Sequence, residues 1–117
     1  MNLYKELEVY KRSYRLSISL FNYARTLPEE EKYGLSSQIK RASLSIPLNI
    51  AEGYGKDDSK PELKRYLKMA KGSCAELEVL TDICKDVGFM QNEAHEKYVS
   101  EIEQISKMLY GLIQSVK

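Results

Sequence analysis

A chain of 117 residues, 43% apolar and 30% charged, holds one hydrophobic core in a single domain over residues 1–117, with no room beside it for an elaborate pocket. Its 18 basic and 17 acidic residues nearly cancel, so no global field draws it onto nucleic acid or a membrane, and any such contact must come from local asymmetry. No stretch approaches the roughly 18 apolar residues of a membrane span, and the opening MNLYKELEVYKRSYRL lacks the apolar run of a signal peptide, so a cytoplasmic protein without a membrane partner is expected.

Hydrophobic periods place four helices along the chain. In the first, at about 100° per residue, Leu3, Leu7, Tyr10, Tyr14, Ile18 and Phe21 gather on one side, while Val9, Leu16, Leu20 and Tyr23 gather on nearly the opposite side. LPEEEKYG, residues 27–34, breaks the pattern with Pro28 and Gly34 as punctuation. The second helix repeats the two-sided pattern, with Leu35, Ile39, Ala42, Ile46 and Ile50 on one stripe and Leu44, Leu48 and Ala51 on another. It also carries Pro47 in its interior, which deletes the hydrogen bond to the Ser43 carbonyl at a cost of about 3 kcal/mol unless another hydroxyl or water satisfies that oxygen.

GYGKDDS, residues 53–59, ends the second helix, and Ser59 with Glu62 forms a capping box that tolerates Pro61 in the first turn of the third. The third helix buries Leu63, Tyr66, Ala70, Cys74, Leu77, Thr81 and Cys84 on one stripe and stops at Gly88 within VGFMQN, residues 87–92. Asn92 is the expected cap of the fourth, whose stripe is Tyr98, Ile102, Ile105, Leu109, Leu112 and Val116. Cys74 and Cys84, ten positions apart on one helix, are separated by roughly 15 Å, beyond disulfide reach, and are expected as small core residues.

Short connections force neighbouring helices antiparallel, so the expected fold class is all-α, an up-down four-helix bundle. A bundle of this size has one interior, yet two of its helices are apolar on two sides. The second stripes, Val9, Leu16, Leu20 and Tyr23 with Leu44, Leu48 and Ala51, are therefore expected to form an oligomer interface. The alternative is irregular packing within one subunit that covers both stripes.

Catalytic constellations are not evident. A di-iron bundle needs Glu-x-x-His pairs, and the single histidine, His95, has Asn92 at the required position, so no metal is expected. There is no phosphate-binding loop, no nucleophile elbow and no Cys-x-x-Cys pair, and GYG at 53–55 reads as a helix stop. Glu52 reads as a partly buried carboxylate paired with a base at a helix end. No enzyme activity, cofactor or small-molecule substrate is expected.

Charge on the third helix is the informative polar feature. Lys64, Lys68 and Lys71 share an outward face with Arg65 beside them, and Glu78, Asp82 and Asp86 continue it, a polarity opposite to the one the helix dipole favours. Over residues 40–71, eight basic residues (Lys40, Arg41, Lys56, Lys60, Lys64, Arg65, Lys68, Lys71) stand against four acidic ones (Glu52, Asp57, Asp58, Glu62). Repeated in an oligomer, that excess makes a basic belt on which RNA could bind through Lys40, Arg41, Lys64, Arg65, Lys68 and Lys71. A solvated face, or salt bridges between subunits, is the plainer reading.

YGLSSQIKRASLSIPLNIAEGYGK, followed by KRYLKMAKGSCAELEVLTDICKDVGF, resembles the family of small four-helix-bundle proteins encoded in intervening sequences of 23S ribosomal RNA genes, to which the accessory protein of diversity-generating retroelements is similar. The most specific part is SIPLNIAEG, with Ser45, Ile46, Pro47, Asn49, Ile50, Ala51, Glu52 and Gly53, and the similarity spans nearly the whole chain. The resemblance implies a bundle that assembles into a ring, typically a homopentamer, with RNA or nucleoprotein contacts. Two functional classes follow: an RNA- or nucleoprotein-binding assembly, and a scaffold for protein interaction with no nucleic-acid binding.

Overall fold

Four helices, α1 (Glu8–Ala24), α2 (Leu35–Tyr54), α3 (Lys60–Asp86) and α4 (Asn92–Ser115), make up most of the chain in the computed structural model, which describes residues 3–55 and 59–117. Short 3-10 turns at Leu3–Glu6 and Glu29–Glu31 are the remaining regular elements, and no strand occurs among the described residues. Consecutive helices pack most extensively, and α1 closes the bundle against α4 with less contact. The chain thus has the expected all-α, four-helix form. No described helix is long and apolar enough to cross a membrane.

Local chemistry sets the helix ends. The Ser59 hydroxyl accepts from the Glu62 N–H at 3.2 Å, opening α3 as the sequence indicates. At the other end Gly88 takes φ +87°, while Phe89 N–H donates to the Cys84 carbonyl at 2.8 Å and Gly88 N–H to that of Lys85 at 3.1 Å. Glycine is suited to that left-handed conformation because it has no Cβ. The expected cap of α4 is displaced by one residue: Gln91 occupies the cap position, without a side-chain bond, and Asn92 is the first helical residue. Leu3 also falls outside α1, in the preceding 3-10 turn.

The core is built from Ile39, Ile46 and Ile50 of α2, Leu67, Cys74, Leu77 and Cys84 of α3, and Ile102, Ile105 and Leu109 of α4, all essentially inaccessible. Both cysteines are buried free thiols, and burial pushes the Cys74 thiol up to about 12. The sides of α1 are largely the reverse of those expected, although Leu7 and Tyr10 of the expected core stripe do pack against the core. Val9, Leu16 and Leu20 are in the core of the single subunit, with Tyr23 packed against it, whereas Tyr14 and Ile18 are about half exposed. The reason lies in the residues between them. Ser13, Ser17 and Ala24 share the face of Val9, Leu16 and Leu20, and their small side chains admit the neighbouring helix closely.

That close approach resolves the problem posed by Pro47, which is buried in an α2 that continues unbroken from Leu35 to Tyr54. The Ser17 hydroxyl of α1 donates to the Ser43 carbonyl at 2.7 Å, the oxygen that Pro47 leaves without its helical partner. Ser36 of α2 donates similarly to the Ala24 carbonyl at 3.2 Å, fixing α1 and α2 antiparallel.

On the opposite side of α2, Ser45 and Ser73 share a hydrogen bond of 2.6 Å, and the Asn49 amide donates to the carbonyl and hydroxyl of Ser45 at 2.8 and 3.0 Å. One turn further, a Cβ on Gly53 would lie 3.0 Å from Tyr66 Cβ and 3.2 Å from a Leu63 methyl, so only glycine allows α2 and α3 to meet there. A two-pronged ion pair, Arg12 Nη2 and Nε to Glu101 at 2.6 and 2.9 Å, ties α1 to α4.

Candidate functional site

Lys64, Lys68 and Lys71 fall at spacings of four and three on α3, which places them on one side of that helix. Lys68 is exposed and the other two are half-buried along their stems. None of the three makes an ion pair among the described residues. The same edge of α3 runs on to Asp82, whose carboxylate meets His95 Nε2 of α4 at 2.7 Å. The lysine row therefore faces the α4 side of the bundle, and the acids beyond it are partly engaged.

The other expected basic residues are not gathered with this row. Lys40 is on the far side of α2, its ammonium 4.9 Å from the centre of the Phe21 ring of α1. Arg41 is exposed. Arg65 grips Glu62 at 2.9 and 3.1 Å and stacks 4.6 Å from the Tyr66 ring, so its charge is already compensated locally. Lys56, Asp57 and Asp58, counted in the basic excess of the sequence, lie outside the described residues. Three lysines, rather than a belt of eight cations, form the coherent patch.

Apolar surface remains exposed on two faces. At the α1–α2 seam Ile18 (51% exposed), Leu44 (38%) and Leu48 (63%) lie outward, with Ala51 half-buried beside them. Ile18 takes the place on α1 that the sequence had given to Leu16 and Leu20, while Leu44 and Leu48 are exposed as expected. A second stripe, Val79, Ile83 and Val87 at i, i+4 and i+8, runs along the outer side of α3, away from buried Leu77, Thr81 and Cys84. Sequence reasoning missed it, because its three residues are separated by acids and a lysine that disguise the period.

The SIPLNIAEG segment is explained by packing. Ser45 and Asn49 bond toward α3, Ile46 and Ile50 fill the core, Pro47 is matched by Ser17, and Gly53 allows the α2–α3 approach. Leu48 and Glu52 point outward, so Glu52 is not the partly buried carboxylate expected. Among the described residues, no group of three or more His, Cys, Asp and Glu side chains could hold a metal ion. A 480 Å³ cleft between α1 and the start of α4 is lined by Tyr23 and Tyr98, but their hydroxyls are committed, Tyr23 to the Phe89 carbonyl at 2.6 Å and Tyr98 to Ser19 at 2.8 Å.

The model of one protein family, described as 23S rRNA-intervening sequence protein, matches residues 5–111. The chain belongs to this family. Among solved structures it is similar to a protein of unknown function from the S23 ribosomal protein family of Bacteroides thetaiotaomicron VPI-5482, at 24% identity and a TM-score of 0.83, covering 92% of this chain and 96% of that one. At that identity the likeness is one of fold. No curated protein matches.

Proposed function

We propose that this intervening-sequence family protein is a non-enzymatic helical bundle that assembles with copies of itself in the cytoplasm and binds RNA or a nucleoprotein through Lys64, Lys68 and Lys71. The observation that carries the reading is the row itself: three lysines on one helix edge without ion-pair partners among the described residues. One copy offers too few charges for firm binding. Several copies held together act on one RNA at high effective concentration, which can raise affinity by about 10²–10⁴.

Self-assembly is supported by the two apolar surfaces. They differ in composition and lie on different helices, so they suit a head-to-tail contact, which closes into a ring if the rotation permits. The family resemblance implies five copies. The same surfaces favour a second reading, a protein-interaction scaffold without nucleic-acid binding. Fluorescence anisotropy with a labelled RNA separates the two. In the RNA reading affinity falls steeply with salt, by a slope near 0.7 per contacted phosphate on a single strand. Changing Lys64, Lys68 and Lys71 together to Glu abolishes binding and leaves the sedimentation coefficient unchanged, whereas wild-type protein silent toward RNA even at low salt leaves the scaffold reading.

A further inference from the structure

The first half of α1 carries a groove that neither the lysine row nor the apolar surfaces use. Lys5, Tyr10, Lys11, Tyr14 and Arg15 line it, a shallow open depression of about 320 Å³. The Tyr10 and Tyr14 rings lie 6.1 Å apart at 41°, and Tyr4 meets Tyr10 edge-on at 5.1 Å, so the aromatic surface is braced by its neighbours. Tyr14 is 53% exposed and presents its ring outward. Among the described residues, no carboxylate lines the groove. Arg15 reaches Glu8 only at 3.6 Å, with both side chains more than 60% exposed, a contact that solvent screens.

Cations beside an open aromatic face match a ligand that carries phosphates and planar rings in alternation. The volume is at the small end of the about 300–1,000 Å³ of ligand sites, suited to one or two planar groups rather than to a folded partner. We propose that this groove is a contact for single-stranded nucleic acid, in which a base stacks on Tyr14 while Lys5, Lys11 and Arg15 engage the adjoining phosphates. A duplex is a poor occupant because its bases are already stacked and expose no faces. A lipid surface is a poor one because the lining lacks aliphatic side chains to insert. The groove is separate from the lysine row, since α1 and α3 are diagonal in the bundle and their backbones do not approach each other among the described residues.

The test measures binding of the full chain to a labelled single-stranded oligouridylate, to an RNA duplex of equal length and to phosphatidylserine-containing vesicles. Tyr14→Ala is expected to weaken single-strand binding about five- to a hundred-fold, without change toward the duplex, and Tyr14→Phe to restore it. Lys11→Gln with Arg15→Gln is expected to lower the salt slope by about 1.4, that of two lost phosphate contacts. Circular dichroism confirms that these surface variants fold. Unchanged single-strand affinity in Tyr14→Ala, an equal loss toward the duplex, or binding to vesicles that the same substitutions abolish overturns the inference. Loss of single-strand binding in the α1 variants supports this groove whether or not the Lys64, Lys68 and Lys71 variant also loses binding, whereas full binding in the α1 variants overturns the groove and leaves the α3 row to be judged by its own variant.

Discussion

Replacing Ser17 with Ala tests whether the hydroxyl that meets the Ser43 carbonyl is what makes a proline tolerable inside α2. Ser17 is 3% exposed and Ser43 is fully buried, so the carbonyl has no route to bulk water once its partner is lost. The Ser17 hydroxyl also lies 2.9 Å from the Ser13 carbonyl, but that oxygen has the backbone N–H of Ser17 as its helical partner, and the single hydroxyl proton serves the shorter 2.7 Å bond to Ser43. Leaving a buried acceptor unsatisfied costs about 1–3 kcal/mol, well above the few tenths expected for a serine that merely back-bonds to its own helix. In urea, with a slope of about 1.5 kcal/mol/M, a loss of about 1.5 kcal/mol moves the midpoint down by about 1 M. Protein concentration is held fixed, because self-association contributes to apparent stability. The decisive measurement is the double-mutant cycle with Pro47→Ala, in which residue 47 regains the N–H that donates to Ser43. Ser17→Ala is then nearly neutral, and the coupling is about 1–2 kcal/mol. A Ser17→Ala effect of the same size in both backgrounds would show that the hydroxyl does not compensate for the proline.

Gly53→Ala is expected to destabilise by about 1–2 kcal/mol although alanine is the better helix former, because its Cβ would meet Tyr66 Cβ at 3.0 Å and that atom cannot swing aside. Gly72→Ala, on α3 with open space around it, is expected to stabilise by about 0.5–1 kcal/mol in the same urea titration. Leu16→Glu places a carboxylate in the core and abolishes the helical circular dichroism signal, whereas Leu48→Glu keeps that signal and abolishes self-association in sedimentation velocity. The Cys74 thiol, pushed to about 12 by burial, stays protonated in the folded chain while it ionises near 9 when unfolded. Stability therefore falls as pH rises above about 9, by about 1.4 kcal/mol at pH 10 from this group, and Cys74→Ala flattens that decline.

The helices, their breaks and the faces that α3 and α4 turn to the core were legible in the sequence because each of those two helices has a single apolar stripe, and α3 carries clear end signals at Ser59 and Gly88. The faces of α1 were not. Both of its sides are apolar, and the large side chains Tyr14, Ile18 and Phe21 make the outward side look like the core. The deciding signal was present in Ser13, Ser17 and Ala24, which hydropathy scores as weak or polar but which mark a close helix contact when spaced with Val9, Leu16 and Leu20. Of the candidate site, the row of Lys64, Lys68 and Lys71 was legible from spacing alone. That Lys40 stacks on Phe21 and Arg65 is held by Glu62 was not, because each depends on a partner's position in three dimensions.

The segment with the most recognisable sequence is consequently not where function is to be sought. Ser45, Ile46, Pro47, Asn49, Ile50 and Gly53 all turn toward α1, α3 or the core, and each is accounted for by a hydrogen bond, a filled volume or a backbone approach. Such residues specify how α2 is held between two neighbours rather than what the bundle binds. What distinguishes one member from another must then be carried by the outward positions: Ile18, Leu44 and Leu48 at the seam, Val79, Ile83 and Val87 on α3, and the two cationic surfaces on α3 and α1. Exchanging outward residues between members, with the buried segment left intact, should therefore transfer oligomeric state and ligand preference without changing the unfolding midpoint by more than surface substitutions do, about 0.5 kcal/mol each. Transfer of ligand preference by the buried segment alone, in sedimentation and anisotropy measurements on the same chimeras, would contradict that division of labour.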